Sequence, residues 1–556
     1  MSNPYTNNKI GKIGVVSATE RDPITSDKFT FWMAAEKKSI NVSDIIAVPE
    51  EDDSTTFGQV VGLERYTDSV SHISNFISSN FGKPEHVPPT QRIKMVLVRS
   101  AVMLNTKNKK SPLMTGLPVY YASPDGVEKA FGFKDYETPI SAGIFVNGDG
   151  EKTIVKLDSK FILGKEGAHL TVSGISGLAT KTSYVMFLIQ SIMQKISGVS
   201  TVIFNVKSDD LLYVDKENTD TKFDDNEIKK YNLMDIDANP FPKENAKYFL
   251  PRNRDGSYNS SRFIQEEDDN ISMYAYDLED SRGRIIYLFE REDINEPLEA
   301  LISTIEEKLI EWRGQAEAKT FDGLLSKIQV RTPAPGRSST TWEDHHSGTV
   351  LKFKSRLRHF VHRGTTGVFV AGEKEEEEKS LRRELRKMKS GDIFVIDIER
   401  LNPREQSFVF GDVVTTLSNL LSSGYEEEME RKFDVDKVIV YVDELNKFAP
   451  SGTSRSPLKR HLIDIAARGR SIGFCLFGAE QFASGVEDEI IGNCSTSVLG
   501  RTNPVEIGYK AYRFLSTELQ SLVLKLEQGK LLLNHSRYFR PIIISFPVPS
   551  YLQGKE

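Results

Sequence analysis

The chain has 556 residues, of which 38% are hydrophobic and 27% are charged, and its formal net charge is −7 at pH 7. Because single hydrophobic cores stop growing near about 250 to 300 residues, this length predicts two or three domains. The composition is typical of globular proteins. The negative charge argues against a surface coated in basic residues, although it leaves room for a local basic channel that holds nucleic acid.

The sequence contains no segment typical of membrane insertion or secretion. Its longest apolar stretch, VMFLIQSIM at 185–193, falls well short of the about 20 residues that span a bilayer. The N-terminal MSNPYTNNKIGKIG lacks the apolar segment of a signal peptide. Two cysteines, Cys475 and Cys494, are too few for a disulfide framework or a four-cysteine zinc site. We therefore expect a cytoplasmic protein.

Residues 1–165 contain short runs rich in β-forming residues, separated by Gly, Pro, Asn and Asp. Examples are KIGVVSA, DIIAVPE, FGQVVGLE and LPVYYASPDG. Strands this short, divided by turn residues, are typical of small barrels or sandwiches. The sequence therefore predicts an N-terminal β-barrel domain over residues 1–165.

The pattern changes after residue 166. The segments HLTVSG, STVIFNV, GDIFVIDIE, KVIVYVDE and SIGFCLFGAE are nearly continuous apolar runs. Such runs belong to parallel strands that helices cover on both faces, so residues 166–215 and 390–556 predict an α/β core. The intervening 216–389 is far longer than one crossover helix. Its segment NEPLEALISTIEEKLIEW has apolar residues three and four apart, which predicts a mainly helical insertion.

Residues 174–184, GISGLATKTSY, nearly match the phosphate-loop pattern G-x-x-x-x-G-K-[ST], in which backbone N–H groups surround phosphate and the lysine reaches the β and γ phosphates. A threonine stands where the last glycine is expected, which removes a residue suited to positive φ. We predict an altered phosphate loop. Its candidate nucleotide-binding residues are Gly174, Gly177, Thr180, Lys181, Thr182 and Ser183.

The segment KVIVYVDELNKFAP at 437–450 is the strongest single motif. Asp443 and Glu444 follow an apolar strand, at the end where open α/β sheets place their ligands. In a P-loop ATPase the first carboxylate holds Mg²⁺ through water and the second polarises the attacking water. Asp443 and Thr182 are therefore the predicted metal residues. On the motif alone, a pair of acids that caps a following helix is the alternative.

Gln481 ends the strand SIGFCLFGAEQ, which follows the acidic strand in the chain. There its side chain can hydrogen-bond the γ-phosphate or the attacking water, although a glutamine at a strand end is also an ordinary loop residue. Strand, loop, helix and later strands occur in the order of an additional-strand RecA-type ATPase. The predicted fold class is therefore α/β, with a RecA-like core, an N-terminal β-barrel and an inserted helical subdomain.

Three segments together resemble the HerA and FtsK group of hexameric DNA-translocating ATPases, and HerA-like proteins in particular. They are HLTVSGISGLATKTS, VIVYVDELNKFAP and IDIAARGRSIGFCLFGAEQFASGVEDEIIGNCSTSVLGR. The barrel and the inserted helices also have counterparts in this family, so the resemblance covers almost the whole chain. The family's loop usually ends G-x-G-K-[ST], so the altered loop leaves open how fast ATP is hydrolysed.

The resemblance implies ATP and Mg²⁺ as cofactors, a homo-hexameric ring that acts on double-stranded DNA, and a barrel used in ring assembly. Whether the ring has six or seven subunits stays open. It also implies a partner effector of the nuclease or sirtuin type, in antiviral defence or DNA end processing. A neighbouring subunit would complete each site with an arginine. The candidates are Arg468, Arg470 and Arg501, which as single residues also suit helix faces or strand ends.

A basic segment, LKFKSRLRHFVHRG at 351–364, interleaves lysine and arginine with phenylalanine. Such a pattern either tracks a phosphate backbone or covers an ordinary helix surface. Two functions therefore stay open. One is an ATP-driven DNA translocase, and the other is an assembly scaffold in which nucleotide orders a ring that activates a partner with little translocation.

Overall fold

The computed structural model describes residues 3–34, 39–66, 69, 71–86, 95–175, 181–264, 268–289, 294–315, 318–330, 341–364, 366–426, 431–453 and 456–554. The chain divides into two compact units. The first unit comprises Met1–Ser159, Leu233–Asp235 and Thr496–Pro547, and the second comprises Lys160–Asn232, Ile236–Ser495 and Val548–Glu556. In these described ranges, no helix combines the length and the apolar character that crossing a membrane requires.

The strands, in chain order, are β1 (Gly14–Ser17), β2 (Lys28–Ala34), β3 (Ile45–Pro49), β4 (Thr55–Arg65), β5 (Met95–Asn105), β6 (Pro118–Tyr121), β7 (Pro139–Val146), β8 (Lys152–Asp158), β9 (Leu163–Gly164), β10 (Gly167–Ser173), β11 (Val199–Asn205), β12 (Ala246–Pro251), β13 (Ile271–Tyr274), β14 (Thr341–Trp342), β15 (His345–His346), β16 (Ile393–Asp397), β17 (Tyr425–Glu426), β18 (Arg431–Lys432), β19 (Lys437–Asp443), β20 (Phe474–Glu480), β21 (Cys494–Leu499), β22 (Lys530–His535) and β23 (Ile542–Ser545).

The α-helices, in the same order, are α1 (His72–Ser78), α2 (Pro124–Phe131), α3 (Ser159–Ile162), α4 (Lys181–Lys195), α5 (Asp225–Leu233), α6 (Leu278–Ser281), α7 (Glu296–Glu311), α8 (Phe321–Lys327), α9 (Ser347–Arg358), α10 (Leu381–Arg386), α11 (Pro403–Ser423), α12 (Pro457–Ile472), α13 (Asp488–Asn493), α14 (Pro504–Ile507) and α15 (Thr517–Val523).

The first unit contains a closed antiparallel barrel with the strand order β1-β2-β5-β4-β3-β6. Alternate residues of β2 face its core, where Phe29, Phe31 and Met33 are at most 1% exposed. This period of two is what a strand with one buried face requires. The unit also contains antiparallel pairs that link β21 to β22, β22 to β23, β23 to β7 and β7 to β8. The predicted N-terminal β-barrel is confirmed.

The second unit is built on a parallel sheet with the strand order β13-β12-β16-β11-β19-β20-β10. Every residue of β10, β11, β16 and β20 is buried, as expected for strands covered on both faces. Strand β20 follows β19 in the chain but lies between β19 and β10 in the sheet. This additional strand separates the phosphate-loop strand from the acidic strand. The predicted α/β fold with a RecA-like core is confirmed.

Local sequence signals set the ends of α11 and α12, the helices that follow strands β16 and β19. Helix α11 begins with a capping box in which Asn402 and Glu405 satisfy each other's backbone N–H groups, and Pro403 occupies its first position. Helix α12 begins at Pro457 and ends at Ile472, and its C-cap residue Gly473 has φ 85°, a conformation suited to glycine. Both helices pack against each other and against β20, so they bury one face of the sheet.

The interval 216–389 contains helices α5 to α10, and it also supplies two strands of the sheet. Strands β12 and β13 extend the sheet beyond β16 through parallel pairing. Their short runs, AKYFLP and ISMY, lack the long apolar pattern that made the other strands recognisable in the sequence. Helices α7, α8 and α9 share one hydrophobic core with α11 and with one face of β11 and β19.

The basic segment at 351–364 forms most of α9 and a following π-helix, His359–Arg363. Its aromatic residues Phe353 and Phe360 are 0% and 3% exposed and belong to the hydrophobic core. They are therefore not available to stack on nucleic-acid bases. The burial of both aromatic residues favours the second alternative from the sequence, in which the basic side chains cover the surface of an ordinary core helix.

Candidate nucleotide-binding site

The loop between β10 and α4 brings its first glycine and its lysine together. The Nζ of Lys181, the first residue of α4, donates a hydrogen bond to the carbonyl oxygen of Gly174 at 2.8 Å. Lys181 is 5% exposed. The backbone N–H of Gly174 donates to the carbonyl oxygen of Glu480 at 3.3 Å, which ties the start of the loop to the end of β20. Gly177 and Thr180 lie outside the described residues.

The two hydroxyl residues after Lys181 lie in the first turn of α4. Thr182 is partly exposed, whereas Ser183 is 4% exposed. The Oγ of Ser183 accepts a hydrogen bond from Gln553 Nε2 at 3.0 Å. Thr182 is thus the more exposed of the two hydroxyl residues, whereas Ser183 is held against the chain that follows β23.

The acidic pair lies at the carboxyl end of β19. Asp443 is 4% exposed, and its Oδ1 accepts from the backbone N–H of Glu444 at 2.9 Å. Glu444 has φ 58°, a left-handed conformation that is uncommon outside glycine and is often retained at functional sites. This conformation turns the chain sharply after the strand, and a 3₁₀ turn at Leu445–Lys447 follows. The pair therefore does not cap an α-helix directly.

The neighbouring strand β20 ends beside this pair with two polar residues. Gln481 Nε2 lies 3.5 Å from Glu444 Oε1, at the outer limit of a hydrogen bond. Glu480 is 0% exposed, and Thr171 donates a hydrogen bond to its Oε1. Its Oε2 has no hydrogen-bond partner among the described residues. The sequence reasoning singled out Gln481 and missed Glu480, although Glu480 directly precedes it.

A second lysine, which the sequence reasoning also missed, contacts both acids. Lys207 follows β11, and its Nζ lies 3.1 Å from Asp443 Oδ2 and 2.8 Å from Glu444 Oε1. Strand β11 is the direct neighbour of β19 in the sheet, with Phe204 paired to Val442. The available signal was the lysine just beyond the apolar run STVIFNV, at the same sheet edge as the acids.

The pKa values of these groups show how burial and the neighbouring charges act on each of them. Burial lowers the pKa of Lys181, while the nearby carboxylates oppose this effect. For Lys207, burial acts to lower the pKa, but Asp443 and Glu444 raise it overall. For Glu444, burial acts to raise the pKa, but Lys207 lowers it overall. Burial raises the pKa of Glu480 to about 8, so this carboxyl is mostly protonated at neutral pH. Lys181 and Lys207 therefore face Asp443 and Glu444, and Lys447 and Asp210 add one further charge of each sign nearby.

Two of the three candidate arginines, Arg468 and Arg470, lie apart from this cluster. Arg468 and Arg470 occupy the last turns of α12 and are exposed. The end of this helix lies at the amino edge of the sheet, because the carbonyl of Gly473 accepts from the N–H of Val438 near the start of β19. Arg468 also pairs with Asp464 at 2.7 Å. Arg501 follows β21 in the first unit and is exposed.

The donor set suits Mg²⁺ bound together with phosphate. Carboxylate and hydroxyl oxygens are hard ligands, and Mg²⁺ usually takes only one or two of them from the protein and keeps water and phosphate oxygens as well. Asp443 and Thr182 offer such oxygens, and Lys181 offers a cation for phosphate. The ranges that the structure describes contain no group of three or more His, Cys, Asp or Glu side chains that could hold a metal ion by itself.

No protein-family model matches the chain. No curated protein matches it either. Among solved structures, the chain is similar to the unbound form of the bacterial conjugative coupling protein TrwBdeltaN70, with 13% identity and a TM-score of 0.46 over 78% of this chain and 94% of that one. VirB4 of Thermoanaerobacter pseudethanolicus matches with 12% identity and a TM-score of 0.45 over 74% and 96%.

A third similar structure is the plasmid coupling protein TrwB in complex with the non-hydrolysable ATP analogue ADPNP. It matches with 14% identity and a TM-score of 0.42, over 70% of this chain and 87% of that chain. All three TM-scores lie below 0.5. The assignment of the site therefore rests on the geometry of this chain.

Proposed function

We propose that this chain is an ATP-hydrolysing ring motor of the HerA type that moves along double-stranded DNA. The observation that carries the proposal is the meeting of Lys181, Asp443 and Glu444 at one edge of an additional-strand parallel sheet. Ligands bind at this carboxyl edge in open α/β sheets. Phosphoryl transfer to water requires a lysine beside a glycine loop and acids at the end of a nearby strand. Here the lysine follows β10 and the acids end β19, with β20 between the two strands.

Each residue of the cluster has a distinct chemical part in this proposal. Lys181 exchanges the carbonyl of Gly174 for the β and γ phosphates, and the N–H groups at the start of α4 face the same anion. Glu444 accepts a proton from the attacking water, and Gln481 orients that water through its amide. Bound Mg²⁺, held by Thr182 and Asp443, would neutralise charge on the phosphates.

The proposal includes a ring because a neighbouring subunit would complete each site with an arginine. Arg468 and Arg470 project from the far end of α12, which suits a reach into a neighbouring subunit rather than into their own site. Arg501 is the third candidate. Such a residue in trans stabilises the charge of the transition state and is worth about 10³ to 10⁵ in turnover. We propose a homo-hexamer, with the barrel holding neighbours together when nucleotide leaves.

The proposed biological setting is what the resemblance to HerA-like proteins implies. A cytoplasmic motor of this type would work with a partner effector, of the nuclease or sirtuin type, in antiviral defence or DNA end processing. The barrel, which carries none of the site residues, is the proposed docking region for that partner. Because its six strands close on one another, docking would use the outer face of the barrel rather than a strand edge.

The second candidate function is a scaffold in which nucleotide orders the ring and activates the effector with little translocation. Two observations favour it. The net charge is −7, and the aromatic residues of the basic segment are buried in the core rather than presented to DNA.

The rate of ATP turnover, with and without duplex DNA, distinguishes the two functions. Stimulation by DNA that disappears in Glu444→Gln supports a motor. Turnover that DNA leaves unchanged, with effector activity still dependent on nucleotide, supports the scaffold. Turnover in Glu444→Gln equal to that of the wild type would contradict both, because the site would not be the place of hydrolysis.

A further inference from the structure

A lysine side chain stands between the two acids that the proposed function assigns to metal and water. The Nζ of Lys207 is within 3.1 Å of Asp443 Oδ2 and 2.8 Å of Glu444 Oε1. An ammonium group at this position bridges both carboxylates. It therefore takes the place where a divalent cation would gain most from their charge.

Hydrogen bonds from Asn205 hold the turn that carries Lys207. Asn205, the last residue of β11, is 0% exposed. Its Nδ2 donates to the carbonyl oxygen of Ser208 at 2.9 Å and to Asp397 Oδ1 at 2.9 Å. These contacts fasten the turn to the end of the neighbouring strand β16. The turn thereby fixes the backbone of Lys207 at the carboxyl edge of the sheet. From this position its side chain reaches the acids.

The three side chains differ in their access to solvent. The side chain of Lys207 is 42% exposed, whereas those of Asp443 and Glu444 are 5% and 13% exposed. A long, half-exposed ammonium can swing into water and stay hydrated. The acids cannot follow it, because Asp443 lies in the last position of a buried strand. The lysine is therefore the partner that moves.

We propose that Lys207 is a positioning residue that latches Asp443 and Glu444 together and keeps divalent cation off them until metal and nucleotide arrive as a pair. The inference rests on the proposed function, since it takes Asp443 as a metal residue. An ammonium and a divalent cation repel each other at this distance, so they exclude each other from the acids. The phosphates of an incoming nucleotide attract the freed ammonium and thereby favour the exchange.

This latch also keeps the site electrically balanced before nucleotide binds. Lys181 and Lys207 offset the charges of Asp443 and Glu444. Removing Lys207 takes away the cation that bridges the two carboxylates and leaves only the more distant charges of Lys181 and Lys447 to compensate them. Such a site should attract a divalent cation by itself, whereas the wild-type site should do so only weakly.

Binding of Mn²⁺ alone to the nucleotide-free full chain tests the latch, with free Mn²⁺ measured by electron paramagnetic resonance. Lys207→Met should bind Mn²⁺ at the site about 10-fold more tightly than the wild type. Lys207→Arg keeps the charge and should behave as the wild type does. Asp443→Asn in the Lys207→Met background should remove the gain, which assigns it to this pair of acids.

A matched control lies at the opposite edge of the same sheet. Lys247 pairs with Asp392 at 3.1 Å, and its side chain is 39% exposed, close to the exposure of Lys207. Lys247→Met should leave Mn²⁺ binding unchanged. If the Met variant at position 207 folds poorly by circular dichroism, Lys207→Gln removes the charge with a polar side chain and is measured in its place.

Equal Mn²⁺ affinity of the wild type and both neutral variants at position 207 would overturn the latch. The proposed function is judged separately, by binding of a fluorescent ATP analogue to the wild type with Mg²⁺ present. In the neutral variants, the Mg²⁺ concentration that half-saturates this binding should fall several-fold. If the wild type binds no nucleotide but the neutral variants at position 207 gain Mn²⁺ affinity, the nucleotide site is refuted. The role of Lys207 in excluding a cation from the acids is then retained.

Discussion

Lys181 is the side chain whose loss has the simplest expected consequence. Its amine is buried and bonded to Gly174, so it is held ready for phosphate at the start of α4. Lys181→Ala removes charge-assisted contacts worth about 1.5 to 3 kcal/mol each. We expect nucleotide affinity to fall about 10- to 100-fold in calorimetric titrations. Lys195→Ala, at the exposed far end of the same helix, should bind as the wild type does. Unchanged binding in Lys181→Ala would remove GISGLATKTSY from the site.

The acidic pair separates binding from turnover. Glu444→Gln should keep ATP bound but lower turnover by about 10² to 10⁴, because an amide cannot accept the proton of water. Asp443→Ala should also weaken the Mg²⁺-dependent part of binding. Glu399→Gln, two residues beyond β16 at the same sheet edge, is the matched control and should hydrolyse normally. Wild-type turnover in both acidic variants would place hydrolysis elsewhere.

Asp44 in the first unit gives a prediction on stability. Burial raises the pKa of its carboxyl to about 7, while the N–H of Asn41, at 2.7 Å, acts to lower it. A folded pKa above the unfolded value near 3.8 means that this group stabilises the fold at low pH. The contribution is lost as pH rises through 7. A shift of this size corresponds to at most about 4 kcal/mol.

Asp44→Asn should therefore flatten the dependence on pH. Its unfolding midpoint in urea should exceed that of the wild type at pH 8, and the difference should shrink towards pH 5. Asp27→Asn, at an exposed position of the same unit, is the control. The raised pKa would be contradicted if the urea midpoint of the wild type did not decrease, relative to that of Asp44→Asn, as the pH is raised from 5 to 8.

At the scale of elements, the junction between α12 and β20 is tightly constrained. Gly473 has φ 85°, and a Cβ added there would lie 2.2 Å from the carbonyl oxygen of Asp436. Gly473→Ala should lower the free energy of unfolding by at least about 1 to 2 kcal/mol, the cost of a left-handed L-residue, before the clash is counted. Urea unfolding measures this. Gly492→Ala, where a Cβ meets nothing within 4 Å, should not destabilise the chain.

Elements also show how far the sequence could be read. The barrel and the buried strands β10, β11, β16, β19 and β20 were predicted because their patterns are local, with a period of two or a continuous apolar run between turns. Strands β12 and β13 were not, because short runs such as AKYFLP gain their identity only by pairing with β16. The pairing is a long-range choice that no local pattern encodes.

For the whole molecule, the proposed role of the barrel is to hold the ring and the partner. We expect deletion of residues 1–165 to leave ATP binding intact but to abolish a stable ring and partner recruitment, with turnover falling because no arginine arrives from a neighbour. The deletion also removes β7, which pairs with β23 in the first unit. A chain that starts at residue 124 keeps β7 and β8 and isolates the effect of the barrel.

Light scattering after size-exclusion chromatography measures the outcome for both truncated chains. The chain from residue 124 should be monomeric at concentrations where the full chain forms a ring, and it should still bind ATP. A hexamer that survives this truncation and still binds its partner would contradict the role of the barrel. Loss of ATP binding in both chains would point to misfolding, and the prediction then has to be tested with point variants in the barrel strands.

The sequence by itself determined the chemistry-bearing residues that sit next to strong local patterns. Lys181, Asp443, Glu444 and Gln481 each adjoin an apolar strand or a glycine loop, so their place at the sheet edge follows from the pattern around them. The tertiary structure alone decided what these residues face. Lys207 reaches the acids only because β11 pairs with β19.

Glu480 is buried and has its pKa raised to about 8 because β20 lies between β19 and β10, with neighbours on both sides. The charge balance and the proposed latch thus depend on contacts between residues more than 200 positions apart, as Lys207 and Glu444 are. Local periodicity specifies where a strand begins and ends. Strand pairing specifies which side chains share one edge of the sheet, and that edge is where the chemistry is set.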